Sequence, residues 1–435
     1  MNRNRLDGLQ LVLFGGVLLF LMSALIARAN QQGMSDFKQF YYASRCLMEH
    51  HDPYQESQLW AVYTAEAGPA PSDPATVKWL HEILLVPNMP TTFLFMAPLA
   101  MLPWNTAVAM WMALIVASFF FAGYLVWREC ADTAPRYAGA LVFLLFITSG
   151  TGLSVGNTAA LVVGLCLIAV CCFVSGRFAW AGVVCLAVSL AIKPHDAGIV
   201  WLYFLLAGGV ARRRALQTLA LTALIALPAV LWISHVVPHW PQELSANLHA
   251  ITSRGGQDDP GPHSTGAFGV IMTVNLQVIF SRIKDDPAFY NPVVYLLCGV
   301  PLVLWAVKTW RLRFSPANAW YALAAAVPFA MLAVYHRFYD CRLLLVAVPV
   351  CVDLWWRRSR LRWWALALTL AAIVVTGDLV WIVFFHITNY AGPSLGEAII
   401  PAPIVMTVVG WFYLWIYLKR SGDEAEQIAA KANSQ

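Results

Sequence analysis

The stretch SLAIKPHDAGIV, residues 189–200, places a lysine, a proline, a histidine and an aspartate between two apolar runs. The same contrast extends through the whole chain of 435 residues, of which 60% are hydrophobic and only 12% are charged. Because a soluble domain has about 25% charged residues, this composition predicts an integral membrane protein. The ionisable residues of the stretch then lie where one apolar helix ends and the next begins.

Twelve apolar runs are candidates for spanning helices, which need about 20 mostly apolar residues each. They cover residues 9–27, 104–127, 137–150, 157–174, 178–192, 196–210, 215–237, 291–308, 317–334, 343–356, 363–385 and 401–418. The runs at 137–150, 178–192 and 343–356 are short, so each can also be a tilted, partly buried or re-entrant segment. The number of spanning helices is therefore predicted to within about two. The prediction is an all-α polytopic bundle of about 12 transmembrane helices.

Basic residues indicate the orientation of the helices, because they collect in short loops on the cytoplasmic side. With the N-terminus inside, 18 of the 28 lysines and arginines fall in cytoplasmic segments, and two long loops, 28–103 and 238–290, lie outside. Residues 1–420 then form a single transmembrane domain with both termini in the cytoplasm. Residues 421–435 form a polar cytoplasmic tail.

The first apolar run also has features of a secretory signal, since Arg3 and Arg5 precede it and Ala27-Arg28-Ala29 resembles a cleavage site. Its apolar stretch of about 18 residues is longer than the usual 7–15 of a signal peptide. We therefore interpret it as a retained helix.

The net charge of +5 requires no nucleic-acid partner, because it follows from the bias of basic residues toward one side of the membrane. The chain contains no CxxC pair, no HExxH motif, no Walker loop and no Rossmann glycine pattern. No cofactor is expected.

Four polar clusters converge on the outer side in this topology. They are MSDFKQFYYASRCLMEHHDPY (34–54), SVGNTAA (154–160), KPHD (193–196) and YHRFYDCR (335–342). Charged groups near a bilayer are costly, and they usually face a cavity or pair with one another. The clusters therefore predict one shared site at this face.

Each residue also has a structural interpretation. Lys193 can be a snorkelling anchor at the interface, and His336 and Arg337 can pair with Asp340 at a helix end. Asp36 can cap the amphipathic helix predicted from DFKQFYYASRCLMEH, which has Phe37, Phe40, Tyr41, Ser44 and Met48 along one face.

The four segments SDFKQFYYASRCLMEHHDPY, SVGNTAALVVG, GRFAWAGVVCLAVSLAIKPH and YHRFYD together resemble glycosyltransferase family 87 of the GT-C superfamily. The best-known members of this family are polyprenyl-phosphate-mannose-dependent mannosyltransferases. The similarity extends in order and spacing over residues 9 to 355. It implies a GT-C-like membrane enzyme with an active site on the outer face.

The resemblance also implies roles for individual residues. Asp36 matches the catalytic base, Lys193 matches the lysine of the family's IKP motif, and His336 matches the histidine of its YH motif. Asn157 departs from the family, which often has glutamine there. The His195-Asp196 pair has no counterpart with a fixed family role.

The chemistry supports the same assignment. Nucleotide sugars are cytoplasmic, so a transferase acting outside needs a lipid-linked sugar phosphate as its donor. Asp36 is the expected base for the incoming hydroxyl. The expected ligands of the donor phosphate are Lys193, His336, Arg337 and His195. The expected contacts to the acceptor or sugar are Tyr41, Asn157 and Asp340.

No paired carboxylates suggest a double displacement, so inversion of configuration is expected. The adjacent acids Asp258-Asp259 and Asp285-Asp286 raise the possibility of a metal site. Because the nucleotide diphosphate that makes a metal useful is absent outside the cell, no metal is expected.

The outer loops are expected to serve the acceptor, a glycolipid or glycan, with Trp60, Tyr63, Trp79 and Trp240 as sugar-stacking or interfacial aromatics. Residues 86–103 carry four prolines and are expected to enter the membrane without spanning it. The expected location is a bacterial plasma membrane, with the active site facing the periplasm or cell exterior. A transporter or lipid-glycan flippase without catalysis is the alternative, and an oligosaccharide ligase is a third.

Overall fold

The computed structural model describes residues 3–29, 33–68, 73–264, 272–312, 314–378 and 401–420. The regular elements in these ranges are all helices, and one isolated antiparallel bridge joins Thr273 to Arg337. The predicted all-α class is confirmed.

The first half of the chain forms helices that run through the predicted outer loop and into the bundle. They are α1 (Arg3–Ala29), α2 (Ser35–Met48), α3 (Glu56–Ala67), α4 (Pro74–Ile83), α5 (Pro90–Ala100), α6 (Trp104–Cys130), α7 (Pro135–Ile147), α8 (Gly150–Val155) and α9 (Thr158–Ser175).

The second half continues the bundle. It consists of α10 (Ala179–Ile192), α11 (Pro194–Leu206), α12 (Gly209–Val236), α13 (Trp240–Thr252), α14 (Gln277–Phe280), α15 (Pro287–Arg311), α16 (Pro316–Ala333), a 3-10 helix (Asp340–Val346), α17 (Ala347–Trp356), α18 (Arg362–Val375) and α19 (Pro401–Lys419).

Eight segments in the described part of the chain are long and apolar enough to cross a membrane. They are formed by α1, α6, α7 with α8, α9, α12, α15, α16 and α19. The predicted runs 178–192, 196–210 and 343–356 correspond to shorter helices, α10, α11 and α17, which have 10–14 residues. At 1.5 Å per residue such helices extend only about 15–21 Å. The count of twelve full spans is therefore not confirmed, and residues 379–385 of the run 363–385 lie outside the described residues.

The first predicted outer loop is largely helical, and the second is helical in part. The first contains α2 to α5, and the second contains α13 and α14. Helix α5, with 11 residues, is too short to span, as expected for the proline-rich segment. The helix predicted from residue 36 onward is present as α2, with Phe37, Phe40, Tyr41 and Ser44 buried.

Small residues allow α1 to lie directly against α7. A Cβ atom added at Gly8 would lie 2.3 Å from Pro135 O, and one added at Gly139 would lie 2.5 Å from Gly8 O. Close backbone approach of this kind is typical of helix packing in membranes. This contact packs α1 against the bundle.

Basic residues gather at one end of the helices, and side-chain contacts join these ends. The contacts are the Arg5–Asp132 and Arg136–Asp7 ion pairs, the Tyr137–Trp355 ring stack, the Tyr321–Asp353 and Arg420–Asn318 hydrogen bonds, the Arg212–Trp310 cation–π contact and the Arg214–Phe173 hydrogen bond. The termini of α10 and α11 that meet at Lys193 lie at the opposite end. Pro194 starts α11 at its first position, where a missing N–H costs nothing.

Candidate active site

A cavity of about 510 Å³ lies at the end of the bundle where α10 and α11 meet at Lys193, opposite the arginine-rich helix ends. Its polar wall contains five of the residues expected from the sequence, namely Asp36, Asn157, Lys193, His195 and Arg337. Its apolar wall is formed by residues such as Ile83, Leu85, Met89, Ile192, Leu248, Ile251 and Val334. The cavity thus combines ionisable groups with a surface suited to hydrocarbon.

Asp36 lies in the first turn of α2 but does not cap it. Met34 occupies the capping position with φ 60°, and its backbone N–H donates to Ser154 O at 3.0 Å. The Asp36 carboxylate instead accepts from Ser35 Oγ at 2.9 Å and from the Asn157 side chain. The capping interpretation of Asp36 is therefore wrong, and its carboxylate lines the cavity.

Asn157 connects the start of α9 to Asp36. Its side-chain oxygen accepts from Ala159 N at 2.8 Å, which caps α9 and fixes which way the amide points. The amide nitrogen then donates to Asp36 Oδ2 and, at 3.2 Å, to Tyr339 Oη. Both amide hydrogens are used within the protein, so this geometry favours a role in positioning Asp36 over direct contact with the acceptor.

Gly156 makes this arrangement possible. Its φ of 67° lies in the left-handed region, and a Cβ atom there would lie 2.8 Å from the Cβ of Phe37. Only glycine allows α2 and the α8–α9 junction to approach so closely. The carboxylate of Asp36 and the amide of Asn157 meet as a result.

Lys193 is enclosed by carboxylates. Its ammonium pairs with Asp340 Oδ1 and lies 3.1 Å from Asp196 Oδ2. Burial acts to lower the pKa of Lys193, but the two carboxylates outweigh it and the pKa is raised. Asp340 also accepts from Arg337 N at 2.7 Å and is buried behind Lys193, outside the cavity wall. Its position does not support the expected contact with the acceptor.

His336 is buried beside this ion pair. Its Nε2 atom lies 3.1 Å from Asp196 Oδ1, and its Nδ1 atom lies 3.0 Å from Val334 O, which can only accept. Burial lowers the pKa of His336, but the hydrogen bond to Asp196 and the negative charges of Asp196 and Asp340 together raise it by more, so the net direction is upward. His336 does not line the cavity and therefore supports the site from behind.

His195 is the histidine that faces the cavity. Its side chain is 42% exposed, and its ring contacts His336 edge-on with centroids 5.1 Å apart. It directly precedes Asp196, and its Nε2 atom lies 3.9 Å from Asp196 Oδ1.

One atom each of His195, Asp196 and His336 lies within 4.8 Å of the others, a spacing that a metal ion could bridge. The Lys193 ammonium already pairs with Asp196 at 3.1 Å, and the raised pKa of His336 favours a proton on Nε2. Both effects compete with a cation, so we interpret this set as an ion-pair cluster. Of the adjacent acids in the second outer loop, Asp259 binds the backbone N–H of Gly255 and Gly261, and Asp285 pairs with Arg254.

Arg337 is held by Asp258 and Tyr335. Asp258 Oδ1 accepts from Arg337 Nη2 at 2.9 Å and from Tyr335 Oη at 2.7 Å, and Arg337 Nε donates to Tyr335 Oη. Burial and the neighbouring Asp258 carboxylate hold the pKa of Tyr335 well above its usual range, so it remains a donor. Arg337, Tyr335 and Asp258 all line the cavity.

Carboxylates outnumber permanent cations among the described groups in and directly behind the cavity. The carboxylates are Asp36, Asp196, Asp258 and Asp340, and the cations are Lys193 and Arg337. A proton on His336, whose pKa is raised, brings the sum closer to neutrality. An added negative charge is therefore unfavourable in this site unless a proton is taken up or a carboxylate moves away.

Tyr41 does not reach the cavity. Its hydroxyl donates to Leu102 O at 2.7 Å and accepts from Arg45 at 3.0 Å, so it joins α2 to the segment before α6. The expected sugar-stacking aromatics do not line the cavity either. Trp60 stacks on His81, Tyr63 contacts Tyr42 edge-on, and Trp240 donates to Ser234. The side chain of Trp79 lies outside the described residues.

The structure adds residues that the sequence analysis did not assign to the site. Tyr335, Tyr339, Asp196 and Asp258 hold or surround the expected residues, and Gln39, Asn88 and Gln257 line the cavity. Tyr335 and Tyr339 stand inside YHRFYD, so their motif was recognised although their roles were not. The only feature of the sequence that singled out Asp258 was the adjacent acid Asp259.

Comparison with known proteins gives one match. A family model described as glycosyltransferase family 87 matches residues 88–335, which is more than half of the chain. The match includes Asn157, Lys193 and His195 but not Asp36, His336 or Arg337. No curated protein and no solved structure matches.

Proposed function

The chain belongs to glycosyltransferase family 87, and from this premise we propose that it transfers a hexose, with mannose as the first candidate, from a polyprenyl-phosphate carrier to a glycolipid or glycan acceptor. The observation that carries the proposal is one cavity that contains a carboxylate, Asp36, together with Lys193, His195 and Arg337 beside an apolar wall. A base, an anion site and a hydrocarbon surface are the three features that this reaction requires.

The apolar wall supports a lipid-linked donor. Met89 from the start of α5, Leu248 and Ile251 from α13 and Val334 present hydrocarbon to the same space as the charged groups. An isoprenoid phosphate has this division between an apolar chain and a charged head. A nucleotide sugar has no comparable apolar part.

The reaction is a single displacement at the anomeric carbon. The acceptor oxygen forms the new bond to this carbon as its proton passes to Asp36, and the bond from carbon to phosphate oxygen breaks with its electron pair. The carrier leaves as polyprenyl phosphate, and the sugar inverts. Donors aimed at the phosphate stabilise the charge that develops on the leaving oxygen.

The distribution of basic residues supports an outward-facing site. The arginine-rich helix ends lie opposite the cavity, and basic residues favour the cytoplasmic side. The cavity then opens toward the periplasm or cell exterior of a bacterial plasma membrane. A transporter places its polar site near the middle of the bilayer, whereas Asp36 and Lys193 stand at helix ends.

The test is transfer from labelled polyprenyl-phosphate-mannose by the protein in nanodiscs, with glucose, galactose and arabinose donors in parallel and crude glycolipid as acceptor. Asp36→Asn should lose about 10²–10⁴-fold in turnover, the usual contribution of a general base. Asp132→Asn, which changes an acid that is 83% exposed at the basic end, is the matched control. Wild-type protein that consumes none of these donors would overturn the proposal and make transport the function to test.

A further inference from the structure

Tyr335 and Arg337 form a two-donor site for an oxygen anion. The Tyr335 hydroxyl and the Arg337 guanidinium converge on a single atom, Asp258 Oδ1, at 2.7 and 2.9 Å. A phosphate oxygen makes contacts of the same kind with such donors. The carboxylate of Asp258 therefore occupies a position that is built for an oxyanion.

The backbone that carries these two donors is held by hydrogen bonds to the segment that contains Met272 and Val274. Val274 N donates to His336 O at 2.9 Å, and Phe338 N donates to Met272 O at 3.0 Å, so Tyr335 and Arg337 lie on a segment fixed on both sides. Arg337 N also donates to Asp340. These contacts do not involve Asp258, so the site keeps its shape when Asp258 leaves.

Asp258, which accepts both hydrogen bonds, lies by contrast in an irregular segment, residues 253–264. Its turns are held by other groups: Asp259 binds Gly255 N and Gly261 N, and Ser281 Oγ donates to Pro260 O at 2.8 Å. Asp258 contributes only its backbone N–H, to Ile251 O at 2.8 Å. Its side chain can therefore turn away without loss of the contacts that fold the segment.

We propose that the Tyr335–Arg337 pair binds the phosphate of the carrier lipid, and that Asp258 is a placeholder carboxylate which the phosphate displaces. The exchange replaces one negative charge on Arg337 by another, so it avoids adding an anion to a site already rich in carboxylates. The identity of the anion rests on the proposed function. The exchange itself depends only on the geometry of the three side chains.

The exchange predicts a gain of affinity when Asp258 is neutralised. Asp258→Asn keeps the size of the side chain but removes the competing charge, and a hydrogen bond to a charged group is strong enough for about a tenfold change in affinity. A structural ion pair predicts the reverse, because its loss leaves Arg337 unpaired and loosens the cavity wall. The sign of the change therefore separates the two roles.

The experiment measures binding of farnesyl phosphate and of inorganic phosphate to the full chain in nanodiscs by microscale thermophoresis. Asp258→Asn should bind farnesyl phosphate about tenfold more tightly than wild type, and Arg337→Gln should abolish binding. Asp259→Asn is the matched control, since it alters the neighbouring turn and leaves the competitor in place. Stronger binding of farnesyl phosphate than of inorganic phosphate identifies the lipid as the source of the anion.

Unchanged or weaker binding by folded Asp258→Asn would overturn the placeholder role. If this variant does not fold, Asp258→Ala, which removes the competing carboxylate and adds no bulk, is measured in the same way: it should bind farnesyl phosphate more tightly than wild type, and unchanged or weaker binding contradicts the proposal. Phosphate binding that persists while every sugar donor fails would refute the transferase and leave the exchange standing.

Discussion

The side-chain amide of Asn157 donates to the carboxylate of Asp36, while its own oxygen caps helix α9. A residue that caps the start of one helix thus orients the acid in the first turn of another, 121 residues earlier in the chain. The position of the expected base depends on the α8–α9 junction as much as on α2.

This relationship gives a first prediction. Asn157→Asp retains the helix cap but places a second carboxylate against Asp36, and like charges raise the pKa of one member of such a pair. We expect the acid limb of the pH–turnover profile to move to higher pH. Asn157→Ser keeps a cap without the charge and should lower turnover with the limb unmoved. A profile of Asn157→Asp that superimposes on that of the wild type would exclude contact between the two groups.

The enclosure of Lys193 gives a second prediction. Lys193→Met leaves the buried carboxylates of Asp196 and Asp340 without their common cation, and breaking a buried pair costs about 3–5 kcal/mol. The loss should be partly restored in Lys193→Met/Asp340→Asn, which removes one of the unpaired charges. Denaturant unfolding in detergent measures both. A double variant less stable than the single one would contradict the pairing.

The charge of His336 gives a third prediction, on stability against pH. The pKa of His336 is raised by Asp196 above the value of about 6.5 in an unfolded chain. Its stabilisation is therefore complete below that pH and is lost as pH rises through the pKa of the folded protein. The difference in Tm between wild type and His336→Gln should be largest in acid and shrink in alkali. His249→Gln, on an exposed position of α13, should show no such trend.

A fourth prediction concerns Gly156. Gly156→Ala and Gly176→Ala both place alanine at a left-handed φ, 67° and 70°, which costs about 1–2 kcal/mol. Only the first also drives a Cβ atom into Phe37, since nothing lies within 4 Å of a Cβ at Gly176. Turnover should therefore fall sharply in Gly156→Ala alone. Equal turnover in the two folded variants would show that the approach of α2 to the α8–α9 junction is not required.

The predicted helices were correct in type but not always in length. Periodicity and apolar content identify α6, α9, α12, α15, α16 and α19 because each is a continuous apolar run. The runs that became α10, α11 and α17 were indistinguishable from spans by composition, since a short buried helix and a spanning helix carry the same residues. In the segment 28–103 the sequence predicted α2, but α3 and α4 were not predicted because they lack a long apolar run.

Within the site, the residue types that carry charge were visible in the sequence, because ionisable groups are rare in so apolar a chain. Asp36, Lys193, His195 and Arg337 line one cavity as that argument requires. Tyr41 and Asp340 were misplaced, since only packing shows that one bonds to Leu102 and the other lies behind Lys193.

The sequence by itself determined the class of the protein, the ends of the helices at which its charges collect and the motifs of its family, because all three depend on which residues are neighbours along the chain. The tertiary structure alone decided which charges face the cavity and which are already paired. Asp258 reaches Arg337 across 79 residues, and Asp340 reaches Lys193 across 147. Contacts between segments so distant depend on how the helices pack, which no local pattern records.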